Sequence, residues 1–223
     1  MVKYLSLSPE KITVTPLGVD DHFKPIVSHL LNETLSRYGL KPGSYVLYLG
    51  TLEPRKNITT LLRAYAVLSS RLRERYPLVL VGGMGWLMEG LDVEIEKLGI
   101  RSTTIKIGYV PREDLPSLYS GAVVFVYPSL YEGFGLPPLE AMASGTPVIT
   151  SNVSSLPEVV GDAGVQLHPG DVNRLSEEIE SFLDDDQRRS FFRQKGLERA
   201  KQFTWEKCAA MTLDVYDRMI RSR

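Results

Sequence analysis

The sequence predicts an α/β fold, a doubly wound parallel sheet of Rossmann-like type. Three observations point there. Short apolar runs of strand length alternate with longer amphipathic segments along most of the chain. Glycine- or proline-bearing loops close nearly every apolar run. Strands separated by helices imply crossover connections, hence a parallel sheet with helices on both faces.

In chain order, Ile12–Thr15 reads as a strand, followed by a turn at Pro16-Leu17-Gly18-Val19-Asp20. Val27–Tyr38 reads as a helix ended by Gly39 and Pro42. Tyr45–Leu49 is a strand and Gly50–Lys56 its loop. Asn57 is then expected to cap a helix reaching to about Arg75, with Leu62, Tyr65, Ala66 and Leu68 on its buried side. Leu78–Val81 is a strand leading into Gly82-Gly83-Met84-Gly85-Trp86, and Leu87–Leu98 is helical. Thr104–Ile107 is a strand, Gly108-Tyr109-Val110-Pro111 a loop, and Asp114–Ser120 a short helix. Val123–Tyr127 is a strand and Pro128–Pro137 a long loop. Pro138–Ser144 is a helix with proline in its first turn. Val148–Thr150 and Gly164–Leu167 are strands. From about residue 172 the chain reads as a helical tail, broken near Asp184–Asp186 and Phe203–Thr204.

No repeat, low-complexity stretch or Pro/Ser-rich linker divides the 223 residues, so residues 1–223 read as one domain with that tail. A net charge of −1 supplies no field favouring nucleic acid or an anionic membrane. The single cysteine, Cys208, excludes an internal disulfide and suits a reducing compartment. Met1–Leu7 lacks the apolar core of a signal peptide, and no apolar run approaches a bilayer span. Together these predict a cytoplasmic protein.

In a doubly wound sheet, ligands bind outside the carboxyl ends of the strands. The loops after Leu49, Val81 and Tyr127 should therefore share one rim. After Tyr127 come Glu132 in the loop and Glu140 just inside the next helix. Gly133 and Gly135 let the backbone approach a ligand and aim N–H groups at it. The helix start near Pro138 adds its positive end, completing an anion site. On the neighbouring loop, Arg55 and Lys56 stand just before a helix N-terminus, where cations are mildly unfavourable unless an anion joins them. His22, His29 and His168 show no metal spacing, and Asp184-Asp185-Asp186 reads as a solvated helix break.

The run from Ser129 to Ile149, with acids at 132 and 140, closely resembles the E-x7-E signature of retaining GT-B glycosyltransferases, in particular glycosyltransferase family 4 (group 1). The octapeptide Gly50–Asn57 looks like mannosyltransferase-type members. The resemblance implies that this chain is one half of a GT-B fold, the C-terminal half that binds a nucleoside-diphosphate sugar. It implies that Glu132 contacts the donor sugar's hydroxyls and Glu140 the ribose. Arg55 and Lys56 would grip the diphosphate, with Glu132, Arg55 and Lys56 as the catalytic set. Gly133, Phe134, Gly135 and Leu136 would lie against sugar and diphosphate. Gly50 and Gly82 would border the phosphates, and Tyr109 and Val110 the base. Thr51 stands where many relatives carry a basic residue.

The same resemblance implies sugar transfer to an acceptor hydroxyl with retained anomeric configuration. It implies no metal and no cofactor beyond the nucleotide sugar, with GDP-mannose the first donor expected. The glycan or lipid-linked acceptor would be held by an N-terminal domain that these residues do not include. A peripheral place at a membrane, and homo-oligomers formed through the C-terminal helix, fit the same picture. A module that holds the nucleotide sugar without turnover remains the alternative. A nucleotide-sugar 2-epimerase shares the fold but not the Glu132-to-Glu140 motif.

Overall fold

The computed structural model describes residues 8–27, 29–83, 85 and 90–221. Its centre is a six-stranded sheet of β1 (Val46–Leu49), β2 (Leu78–Val81), β3 (Thr104–Ile107), β4 (Val124–Tyr127), β5 (Val148–Ser151) and β6 (Val165–Leu167). Every pairing is parallel, in the order β3-β2-β1-β4-β5-β6. β2, β4 and β5 are buried along their whole length, and the outermost strands β3 and β6 only partly. That gradient is why the inner strands read as continuous apolar runs: helices cover both faces of a parallel sheet. Val46 of β1 pairs with Leu78 on one side and Val124 on the other. The winding direction reverses between β1 and β4, so the loops after those strands diverge and leave a crevice.

The helices are α1 (His29–Arg37), α2 (Ile58–Val67), α3 (Ser70–Arg75), α4 (Leu91–Lys97), α5 (Leu115–Gly121), α6 (Leu136–Ala143), α7 (Leu156–Val160), α8 (Val172–Asp184), α9 (Asp186–Ala200) and α10 (Trp205–Arg221). The expected tail breaks fall where anticipated. Asp185 ends α8 and caps α9 by accepting the Arg188 N–H, while Asp171 caps α8 by accepting that of Arg174. Tyr45, Tyr48, Tyr65, Tyr119, Phe125 and Tyr127 are among the largest fully buried side chains of the core.

Four expectations are corrected. Ile12–Thr15 forms no strand: it runs free of the sheet, with Val14 exposed. Its β-branched residues suit a pleated surface, but no strand edge is offered to them. The helix expected from Asn57 to Arg75 is two helices, because Leu68 and Ser69 are extended and Ser69 caps α3 by accepting the Leu72 N–H. Asn57 is left-handed (φ 56°) and does not cap α2; its amide donates instead to Pro128 and Pro169 carbonyls. Finally, α6 begins at Leu136, so Glu140 stands in its second turn, away from the helix end. The short α7 was not anticipated. Expected helical positions 28 and 87–89, with Met84 and Trp86, lie outside the described residues.

Candidate functional site

The crevice between β1 and β4 gathers three of the charged residues singled out above, Arg55, Lys56 and Glu132. Pro54–Lys56 folds into one turn of tight helix just after β1. This turn delivers Lys56 inward and Arg55 outward. Lys56 and Glu132 are each only 8% exposed. Lys56 Nζ lies 2.7 Å from Glu132 Oε1, and also donates to the Tyr127 hydroxyl at 2.5 Å. Arg55 Nη1 lies 3.1 Å from Glu132 Oε2 and donates to the Tyr131 carbonyl at 2.7 Å. Its other terminal nitrogen donates to Glu53 at 2.6 Å. One carboxylate is thus shared between two cations. The anion expected to offset Arg55 and Lys56 is supplied by the chain itself, as Glu132.

Burial alone would raise the Glu132 carboxyl, but the Lys56 hydrogen bond and charge outweigh it and hold the group below the ordinary range. The Tyr127 phenol moves the other way: burial and the Glu132 charge push it far above ordinary, so it remains a neutral hydrogen-bonding group. Tyr127 ends β4, stacked between Tyr48 and Phe125 at 6.0 and 5.7 Å between ring centroids. This rigid aromatic floor fixes where Lys56 points.

Beyond Glu132 a cleft of about 950 Å³ opens. Lys56, Tyr127, Glu132 and Gly133–Pro137 line one side of it, and Ser154, Ser155 and Glu158 another. A Cβ on Gly133 would meet nothing within 4 Å, so its backbone faces open space. Gly135 has φ 111° and leads into α6, whose positive end points at the same region. Pro137 and Pro138 have no N–H, so the Leu136 N–H is the one free donor of that first turn's three leading positions.

Glu140 stands on a second side. The Tyr119 hydroxyl donates to its carboxylate at 3.1 Å. Burial raises this carboxyl above the ordinary range, partly offset by Tyr119 and by the charge of Arg112. Arg112 follows the Gly108–Pro111 loop, which places Glu140 on that loop's side. There Val110 is buried and Tyr109 is 85% exposed. Gly50 and Gly82 have a steric role: a Cβ on Gly82 would lie 2.1 Å from the Gly50 carbonyl oxygen. They let the loops after β1 and β2 cross. Gly50, Gly82, Tyr109, Val110, Arg55 and Glu140 are not part of the lining of the large cleft.

Sequence reading missed Tyr127, Tyr119, Ser154 and Ser155. Tyr127 carried a usable signal, since it ends a strand at the switch point. Ser154 and Ser155 carried none, because only the fold brings the loop after β5 against Glu132.

Comparison with known proteins bears on the family and the fold. The family described as Glycosyl transferases group 1 matches residues 37–199. The O-antigen chain mannosyltransferase B of Escherichia coli is 46% identical over 217 residues, covering 97% of this chain and 57% of that protein. An MMP alpha-(1->4)-mannosyltransferase of Mycolicibacterium hassiacum is 34% identical, covering 96% and 50%. Among solved structures, sucrose-phosphate synthase from Thermosynechococcus elongatus superposes with a TM-score of 0.81 at 28% identity, over 94% of this chain and 53% of that one. WaaG, a glycosyltransferase involved in lipopolysaccharide biosynthesis, superposes at 0.83 with 23% identity, over 96% and 58%. The chain spans about half the length of these two curated relatives. A doubly wound sheet, an acid-bearing loop at its switch point and a family match over most of the length lead to one assignment: this chain belongs to the group 1 glycosyl transferases.

Proposed function

We propose that this chain is the donor half of a retaining glycosyltransferase, holding a nucleoside-diphosphate sugar for transfer to an acceptor hydroxyl. The observation that carries this reading is the shared carboxylate: Glu132 held between Lys56 and Arg55 at the mouth of an open cleft. An arriving diphosphate competes with Glu132 for both cations. As it takes them, the Glu132 carboxylate is freed to accept hydroxyls of the sugar. Lys56, Arg55 and the positive end of α6 then stand where negative charge develops as the diphosphate departs. Glu140, with one oxygen held by Tyr119, accepts the ribose hydroxyls. Tyr109 and Val110 border the base, and Gly133, Phe134, Gly135 and Leu136 the sugar and diphosphate. This arrangement requires no metal, since side chains and a helix end neutralise the phosphates.

GDP-mannose is the donor we favour. The Gly50–Asn57 octapeptide supports it, as do the mannosyltransferases among its relatives. Retention follows the family resemblance. The acceptor, a glycan or lipid-linked sugar, belongs to a further domain. A cytoplasmic site, peripheral at a membrane, suits such an acceptor; none of the described helices is long and apolar enough to cross a membrane.

The test is thermal unfolding of the chain with GDP, UDP and ADP. A ligand at one hundred times its dissociation constant adds roughly 2.7 kcal/mol. GDP is expected to give the largest shift, and calorimetry should rank GDP-mannose above UDP-glucose. No shift with any nucleotide at millimolar concentration refutes the donor reading.

A further inference from the structure

The loop that carries Glu132 owes its shape to its neighbours. Residues 128–135 contain no helix or strand, yet side chains from the flanking loops hold their backbone. Asn57 Nδ2 donates to the Pro128 carbonyl at 3.0 Å, and Ser151 Oγ donates to that of Ser129. The Leu130 N–H donates to the Arg55 carbonyl at 2.9 Å, and Arg55 in turn donates to the Tyr131 carbonyl. At Glu132 itself, the N–H donates to Ser154 Oγ at 2.9 Å. Ser155 Oγ lies 3.0 Å from the Glu132 carbonyl and 2.7 Å from that of Phe134, one hydroxyl proton serving two acceptors.

Two non-glycine residues have positive φ among the described residues: Asn57 at 56° and Ser154 at 54°. They lie in the loops after β1 and β5, and each gives its side chain to the Glu132 loop from the opposite side. Left-handed backbone is uncommon for serine, and such strain persists where the surroundings over-determine it. At Ser154 the other requirement is visible: this backbone turn aims Oγ at the Glu132 N–H.

We propose that Ser154 is a positioning residue that orients Glu132, fixing its backbone so that the carboxylate bridges Lys56 and Arg55 at the cleft. Its left-handed backbone is the strain retained for that purpose. The functional consequence rests on reading the cleft as a donor site; the geometric claim does not.

The discriminating variant is Ser154→Gly. Glycine accepts φ 54° without strain, so folding stability should hold or rise. The hydroxyl is lost all the same. In the ligand-free protein, a carboxyl carbon-13 NMR titration should show Glu132 titrating higher in Ser154→Gly than in the unmodified chain, as the carboxylate leaves Lys56. Ser154→Ala should move Glu132 the same way, with lower thermal stability because it keeps the strain. Calorimetry should then show the preference for GDP-mannose over GDP falling by about fivefold, the ratio that one hydrogen bond's net contribution corresponds to, with GDP affinity not reduced. An unchanged Glu132 titration in Ser154→Gly overturns the proposal. So does a defect in Ser154→Ala that glycine restores, since that is strain alone. An unmodified chain that binds no nucleotide or nucleotide sugar refutes the donor reading, while the titration still decides the role of Ser154.

Discussion

Glu132 and Glu140 are both acids in a partly enclosed setting, and their neighbours move them in opposite directions. Glu132 has two cations within ion-pair distance and is held below the ordinary range, whereas Glu140 has a phenol and is raised by burial. A depressed acid contributes stability above its unfolded pKa and loses it as pH falls through the folded one. Lys56→Ala should therefore destabilise the chain at pH 7, by about 2 kcal/mol, less than for a fully severed buried pair because Arg55 remains. The gap should narrow on acidification through the Glu132 titration, as read by urea denaturation at the two pH values. The same variant should weaken diphosphates more than nucleosides, an effect that shrinks in salt. A raised acid behaves in the reverse sense: its charged form costs stability above the folded pKa, and the cost vanishes below the unfolded one. Glu140→Gln should thus be more stable than the unmodified chain at neutral pH and equal to it in acid. It should bind nucleosides and nucleotides about tenfold more weakly, having lost charge-assisted bonds. Equal loss of every ligand in both variants, with lowered stability, would indicate misfolding instead.

At the scale of elements, the site depends on loops that cross closely where strands end. The Gly50 N–H donates to the Val81 carbonyl, and Gly82 passes so near Gly50 that a side chain has no room. Gly82→Ala combines that overlap with φ 136°, a backbone setting that alanine avoids. A loss of about 3 kcal/mol is expected, among the larger single-residue effects, together with weaker diphosphate binding as the Arg55–Lys56 turn shifts. Calorimetric unfolding with and without GDP measures both. A stable Gly82→Ala variant that binds GDP normally would show that the loops can separate without cost. Strands β1, β2 and β4 were legible because burial on both faces favours apolar and aromatic residues, and β5 from its Val148-Ile149 pair, although Thr150 and Ser151 are buried there too. The break at Leu68–Ser69 was not, because Ser69 reads equally well inside a helix or at its start. The run Ile12–Thr15 has strand composition, but composition does not say whether an edge is available.

The whole chain presents the cleft beside Glu132 at its surface. Its sheet and helices share a continuous core, so folding in isolation is expected. Helix α10 is the exception: none of its residues is buried, and Leu213, Tyr216, Met219 and Ile220 are exposed. Such a face suits cover by a further domain or a second copy of the chain. Transfer requires an acceptor hydroxyl held at the anomeric carbon with water excluded, and the proposed function assigns the acceptor to a further domain. The isolated chain should therefore bind donor and glycosylate nothing. A radiolabelled-donor assay against mannosides, glucosides and lipid extracts, with and without a co-expressed N-terminal partner, tests this. Robust transfer by the chain alone would place the acceptor site within these residues. Donor binding with no transfer even alongside the partner would favour a binding module.

Local patterning gave the six strands of the sheet, though with one false strand at Ile12–Thr15, together with the helical tail and its breaks, since each follows from hydrophobic period, caps and turn residues within a few positions. It also marked Arg55 and Lys56 as unusual before a helix N-terminus, while Glu132 and Glu140 were singled out by the family resemblance of the run around them. Contacts between distant segments were decided only by the fold. Nothing near Glu132 in sequence says that Lys56 and Arg55 share its carboxylate, that Tyr127 anchors Lys56, or that Ser154 takes a left-handed turn to meet its N–H. Those partners lie 22 or more residues from it along the chain, Tyr127 apart. They meet because parallel strands deliver all their carboxyl-terminal loops to one edge, where the order of strands in the sheet, and not their order in the chain, chooses neighbours.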